Sequence, residues 1–127
     1  MPNSSPPMPT PAELELLRVL WERGPSTVRE VQTAVGADTT GYTTILKQLQ
    51  LMLEKGLVSR DESQRAHVYE ARVDASITQR QLVDDLVERA FGGATDKLVL
   101  RALSSERVTA DELRAIRDLL DALDDED

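Results

Sequence analysis

The 127-residue chain has no cysteine, one histidine, one tryptophan and one phenylalanine, and aromatic residues make up 3% of it. Without a thiol there is no disulfide and no thiolate metal site. A lone imidazole, His67, supplies neither a histidine pair for a metal nor a cysteine–histidine dyad for catalysis. With so few rings, the core must come from Leu, Val, Ile and Ala, and the apolar content of 40% allows one modest core rather than two large ones. No apolar run approaches the roughly 20 residues that cross a bilayer, and no basic-then-apolar leader opens the chain, so membrane insertion is not expected and the expected compartment is the cytoplasm. Excess positive charge is missing too: 15 Lys/Arg face 23 Asp/Glu, a formal net charge of −8. The carboxylates are scattered over solvated helix faces or gathered in the tail Asp124-Asp125-Glu126-Asp127, with no glycine-rich phosphate loop or nucleophile constellation beside them. No enzyme activity, catalytic residue, metal ligand or cofactor is therefore assigned.

What is present is helix punctuation. Residues Met1 to Pro9 hold four of the six prolines and read as a disordered arm. Thr10-Pro11-Ala12-Glu13 is a capping box with proline at the first helical position, and it opens a helix to about Glu22 that Gly24-Pro25 ends. Leu14, Leu17, Val19 and Leu20 form an apolar stripe, and Trp21 is expected to join it rather than stack on a nucleic acid. Thr27-Val28-Arg29-Glu30 is a second box, opening a short helix that stops near Gly36; Thr39 or Thr40 is expected to cap the next. On that third helix, at about 100° per residue, Tyr42, Ile45, Leu46, Leu49, Met52 and Leu53 collect on one face. Thr43, Thr44, Lys47, Gln50 and Leu51 collect on the other, with Gln48 at the border. Gly56 then ends the helix, and Leu57–Asp61 and Ala66–Ala71 read as strands around the loop Glu62-Ser63-Gln64-Arg65.

Helix, turn, helix and β-ribbon in that order predict a winged helix-turn-helix, with double-stranded DNA as partner. The outer face of the third helix is short-chained and has no carboxylate before Glu54, which suits approach to base edges. Thr43, Thr44, Lys47, Gln48 and Gln50 are the candidate base or phosphate contacts: threonine offers a hydroxyl and a methyl, glutamine can pair with adenine, and lysine can meet phosphate or guanine. Leu51 either meets a thymine methyl or packs under the ribbon. Arg60, Arg65 and His67 on the ribbon, with Arg72 beside it, are the candidate backbone contacts; a solvated hairpin is the bland alternative that Asp61, Glu62 and Glu70 keep open. The acidity lies mainly elsewhere. Up to Asp74 there are 8 Lys/Arg against 10 Asp/Glu, and from Ala75 onward 7 against 13. Non-specific attraction to phosphate is thus expected to be weak and the salt dependence shallow.

After Asp74 the pattern is helical. Asp74 or Ser76 can cap a helix to about Ala90 with Ile77, Leu82, Leu86 and Ala90 on one side, and Gly92-Gly93 break it. Thr95 can cap a shorter helix carrying Leu98, Val99, Leu100 and Leu103. Thr109-Ala110-Asp111-Glu112 is a third capping box, followed by Leu113, Ile116, Leu120 and Leu123 as a short a/d seam. Two heptads are too few for an isolated coiled coil, so this seam is expected to pack on the preceding helices and on a symmetry mate. Leu86, Leu98, Leu113, Ile116, Leu120 and Leu123 are the candidate homodimer interface, and intrachain packing in a monomer is the alternative. The expected fold class is mainly α with a small β-wing, divided into an arm (1–9), a winged-helix DNA-binding domain (10–74) and a helical dimerisation domain (75–127).

Several segments also resemble a family. Gly41-Tyr42-Thr43-Thr44-Ile45-Leu46-Lys47, Glu54-Lys55-Gly56-Leu57-Val58 and His67-Val68-Tyr69 are similar to the BlaI/MecI family of bacterial transcriptional repressors. So are Ala12-Glu13-Leu14-Glu15, Leu20-Trp21-Glu22-Arg23-Gly24-Pro25 and Thr27-Val28-Arg29-Glu30-Val31 upstream, and Phe91-Gly92-Gly93, Lys97-Leu98-Val99-Leu100 and Glu112-Leu113 downstream. Each fragment is weak alone, but their order and spacing from Thr10 to Leu123 are specific. A two-fold dimer would present two recognition helices to one side of B-DNA, so an inverted-repeat operator and promoter occlusion are expected; the resemblance implies repression of resistance or stress genes and of the repressor's own operon, relieved when a membrane sensor protease leads to cleavage in the dimerisation region. Where staphylococcal relatives carry an Asn-Phe bond, this chain has Arg101-Ala102, which departs from the pattern. Two other readings stay open beside it, an acidic winged-helix protein-interaction module without DNA binding and a regulator that senses a small molecule.

Overall fold

A computed structural model describes residues 7–36 and 40–125. The first helix, α1 (Pro11–Arg23), starts where its capping box requires. The Thr10 hydroxyl accepts the Glu13 N–H at 3.1 Å and the Glu13 carboxylate accepts the Thr10 N–H at 2.9 Å. The same reciprocal pair, Thr27 with Glu30, opens α2 (Val28–Val35). The third helix, α3 (Tyr42–Lys55), departs from expectation at its start: its N-cap is Gly41, with no side-chain cap bond. Thr40 does not cap it, and Thr39 lies outside the described residues.

Two strands form the ribbon, β2 (Val58–Asp61) and β3 (Val68–Ala71), each shorter than the sequence suggested and joined by six loop residues, 62–67. A further strand, β1 (Ser26–Thr27), was not expected. It pairs antiparallel with β3 through Ser26 with Tyr69 and Thr27 with Val68, giving the order β1-β3-β2. The ribbon is thereby laced to the chain just ahead of α2.

The core of this part is aliphatic, as the composition demanded. Leu16, Leu17 and Leu20 of α1 meet Val28 and Val31 of α2, Ile45, Leu49 and Met52 of α3, and Leu57, Val58, Tyr69 and Val73 of the ribbon region. Burying one such large side chain contributes about 1.5–3 kcal/mol, so three from one face of α3 fix how that helix is rotated. Trp21 packs against this core and donates its indole N–H to the Val73 carbonyl at 3.0 Å, a structural role rather than a stacking one.

The chain divides into two compact units at Leu82/Val83, within α4 (Ala75–Phe91). Asp74 holds the start of α4 by accepting the Ser76 N–H at 3.0 Å. The expected apolar side of α4 is not the buried one: Ile77, Leu86 and Ala90 are exposed and Leu82 half-buried, whereas Thr78 and Val87 are covered. In the second unit follow α5 (Thr95–Leu103) and α6 (Ala110–Asp124). Thr95 is the first helical residue of α5 rather than its cap, and Ala94 stands at the cap without a side-chain bond. Thr109 and Glu112 make the third capping box. No side chain of α5 or α6 is fully buried.

Candidate nucleic-acid interface

The placement of α3 is built from four local devices. At the front, the buried Gln32 donates from Nε2 to the Thr40 carbonyl at 3.2 Å, tying α2 to the entry of α3. At the back, Gly56 adopts a left-handed conformation (φ 82°, ψ 13°), its N–H reaching the Leu53 carbonyl and the Leu57 N–H reaching the Met52 carbonyl. The Arg72 N–H then bonds the Leu57 carbonyl at 2.9 Å and closes the ribbon onto the end of the helix. The fourth device links α1 to α3. Lys55 Nζ lies 2.7 Å from Glu13 Oε2, and the carboxylate is 4% exposed. Burial alone would raise the Glu13 pKa, but the bonds from Lys55 and from the Thr10 N–H outweigh it and hold the carboxyl below its ordinary value.

With Ile45, Leu49 and Met52 facing in, α3 turns Thr43, Thr44, Lys47, Gln50 and Leu51 to solvent, while Gln48 is half-buried at the border. Lys47 makes no ion pair with any described residue. Leu51 is 49% exposed and so does not pack beneath the ribbon. Tyr42 departs from its expected place. It lies 41% exposed at the first turn of α3, and the Arg29 guanidinium sits over its ring, 5.0 Å from the centroid. The helical wheel assigned it to the core face because the wheel ignores where the core ends. Tyr42 is the first residue of the helix, one turn ahead of Ile45 and Leu46.

The three candidate wing residues differ. Arg60 is already engaged: it is paired across the strands with Tyr69, and its Nε and Nη2 lie 3.2 and 2.9 Å from Glu62 Oε2. Hydrogen bonding to the Tyr69 side chain, then to Glu62, raises its pKa further. Arg65 and His67 are exposed in the loop and make no ion pair with a described residue. Asp61 is turned inward on its own loop, accepting the Ser63 N–H at 2.9 Å, which is the main reason its pKa is lowered. Arg72, just beyond β3, is exposed.

Between the starts of α2 and α3 and the ribbon loop lies a cleft of about 350 Å³ that includes Thr27, Arg29, Tyr42, Leu46, Arg65 and His67. Sequence reading missed both the Arg29–Tyr42 stack and the Glu13–Lys55 bridge. The partners are 13 and 42 residues apart on different helices, and no local pattern signals them.

A short helix, a turn, a second helix with a polar outward face and a ribbon laced to both define this part of the chain as a winged helix-turn-helix. The family model described as penicillinase repressor matches residues 9–122, and the chain belongs to that BlaI/MecI family of transcriptional repressors. It is 35% identical over 109 residues to the transcriptional regulator BlaI of Mycobacterium tuberculosis, covering 83% of this chain and 77% of that one. It is 23% identical over 116 residues to the penicillinase repressor of Bacillus licheniformis, covering 91% of each. Among solved structures, the solution structure of the DNA binding domain of the repressor BlaI is similar at 26% identity with a TM-score of 0.50, covering 57% of this chain and 89% of that domain. Among the described residues no helix is long and apolar enough to cross a membrane, and no His, Asp or Glu group is placed to hold a metal.

Proposed function

We propose that this protein is a cytoplasmic, dimeric, sequence-specific DNA-binding repressor that occludes promoters carrying an inverted-repeat operator. The observation that carries the reading is the outward face of α3. Thr43, Thr44, Lys47 and Gln50 have no carboxylate partner among the described residues, on a helix whose rotation is fixed by its buried face and whose far end is locked into a ribbon. Gln48 flanks them. Arg65 and His67 on the ribbon loop supply backbone contacts, which set register without reading sequence. Arg60, bonded to Glu62 on the same ribbon, is the third backbone contact beside them. A relative named for the same family and a solved DNA binding domain of like fold support this reading.

Dimerisation is supported by residues 75–127, whose helices leave several aliphatic side chains exposed within one chain. Leu98, Leu113 and Ile116 are half-buried, and Leu86, Leu120 and Leu123 are exposed, the last two at 54% and 52%. A second copy covering them presents two α3 helices to one side of B-DNA, with half-site centres about 34 Å or a small multiple apart. Relief by proteolysis in this region, triggered by a membrane sensor protease, completes the proposal. The candidate bond Arg101–Ala102 is exposed in the last turn of α5.

The test is mutational. Lys47→Ala and Thr44→Val should each weaken binding to the selected operator by about 1–3 kcal/mol while leaving circular dichroism and dimer mass unchanged. Parent-like binding by both variants refutes the assignment of the reading face.

A further inference from the structure

The cleft between α2, α3 and the ribbon loop is a cationic concavity on an acidic protein. Among its described lining residues, Arg29, Arg65 and His67 carry basic side chains and none carries a carboxylate, on a chain with a net charge of −8. Four other surface depressions each include an acid: Glu112 in one, Asp74 in a second, Glu22 in a third, and Asp61 with Glu70 in a fourth. Two described acids near these residues in sequence have other partners. Glu30 caps α2 through the Thr27 N–H and lies 3.8 Å from Arg23, and Asp61 bonds chiefly to Ser63, with a weaker attraction to His67 that leaves Arg29 and Arg65 as the uncompensated charges of the cleft. Neither Arg29 nor Arg65 makes an ion pair with a described residue, and the same is true of Lys47, Arg72 and Arg80, whereas Arg18, Arg23, Lys55 and Arg60 in the same unit are paired.

Resting on the DNA-binding reading above, we infer that this cleft seats a backbone phosphate of the duplex, with Arg29 as a clamping contact from the α2 side and Tyr42 as the residue that positions it. A guanidinium lying over a ring uses its face for the aromatic contact and keeps its in-plane N–H donors for an anion, an arrangement that lysine cannot reproduce. The stack spans the helix-turn-helix, since Arg29 belongs to the first turn of α2 and Tyr42 to the first turn of α3. Arg65 and His67 close the cleft from the ribbon loop. A phosphate held here is gripped from the helix pair and from the ribbon at once, so it fixes the approach of α3 to the groove without reading a base.

The test uses the full-length chain and fluorescence anisotropy across a salt series. Two labelled duplexes are compared, one carrying the sequence recovered by selection from a random library and one of mixed sequence and equal length. Arg29→Ala should lose roughly tenfold in affinity, the scale of one charge-assisted hydrogen bond, by the same factor on both duplexes, and should lower the slope of log affinity against log salt by about 0.9. Tyr42→Ala should reproduce most of that loss and Tyr42→Phe should restore parent binding, because the ring and not the hydroxyl does the positioning. Unchanged affinity and slope for Arg29→Ala, with the parent still binding, overturn the inference while leaving the repressor reading intact. A loss confined to the selected duplex overturns it as well, since Arg29 would then be reading bases. No binding of the parent to either duplex overturns both.

Discussion

Replacing Lys55 with methionine removes the charge that faces Glu13 while keeping most of the aliphatic stem, and it isolates the bridge that ties α1 to the end of α3. The carboxylate is buried and keeps one further partner, the Thr10 N–H at 2.9 Å. Breaking a fully buried pair costs about 3–5 kcal/mol. The Lys55 head, however, is 40% exposed and water already screens part of the attraction, so the expected loss is about 2 kcal/mol at neutral pH. For a unit of this size that corresponds to a drop in midpoint of about 8–16 °C. The assay reports on the right unit, because Trp21 is the sole tryptophan and packs on the core that the bridge braces. Its fluorescence during urea or thermal unfolding follows that core and not the second unit. The pH dependence fixes the cause. Glu13's folded-state pKa lies below its ordinary value of 4.5, so its stabilisation is complete above about pH 4.5 and is lost as pH falls through the folded-state value. The gap between parent and Lys55→Met should therefore be widest at pH 6–7 and narrow below pH 4.5 as the carboxyl protonates. A gap under about 0.5 kcal/mol, or one that stays constant from neutral to acid pH, refutes the bridge as a stabilising link.

Gly56→Ala places a Cβ at φ 82°, where nothing lies within 4 Å, so the cost is backbone strain alone. About 1 kcal/mol of stability should be lost, read by Trp21 fluorescence, and a neutral result would contradict the left-handed cap. Leu120→Asp together with Leu123→Asp should halve the mass seen by sedimentation while leaving the winged-helix spectrum and Trp21 emission unchanged; retention of dimer mass would place the interface elsewhere. Co-expression with a cognate sensor protease and its inducer should yield a fragment ending near Arg101, and an intact chain under those conditions would remove proteolysis from the proposal.

What was legible in the sequence was what is local. The three capping boxes close over three residues each, so Thr10, Thr27 and Thr109 announce their helices without any tertiary context. The left-handed glycine at position 56 and the inward positions Ile45, Leu49 and Met52 were readable for the same reason. What escaped depends on distant partners. Strand β1 is two residues long and exists through its pairing with β3, some forty residues on. The buried Glu13 looks from sequence like an ordinary solvated N3 carboxylate until Lys55 is brought beside it. Arg60 and Arg65 look alike in the chain, yet Arg60 is bonded to Glu62 and Arg65 makes no ion pair with a described residue. Tyr42 was misplaced because helical periodicity gives the direction of a side chain but not the extent of the core beneath it.

The measurement that bears most directly on the central claim is selection of bound fragments from a random duplex library by the full-length protein at moderate salt, followed by sequencing. The expected result is enrichment of an inverted repeat whose half-sites are centred about one helical turn, or a small multiple of it, apart. A single unrepeated half-site would keep the winged helix and contradict the dimer. Enrichment of nothing would contradict sequence-specific binding altogether and leave an acidic interaction module in its place.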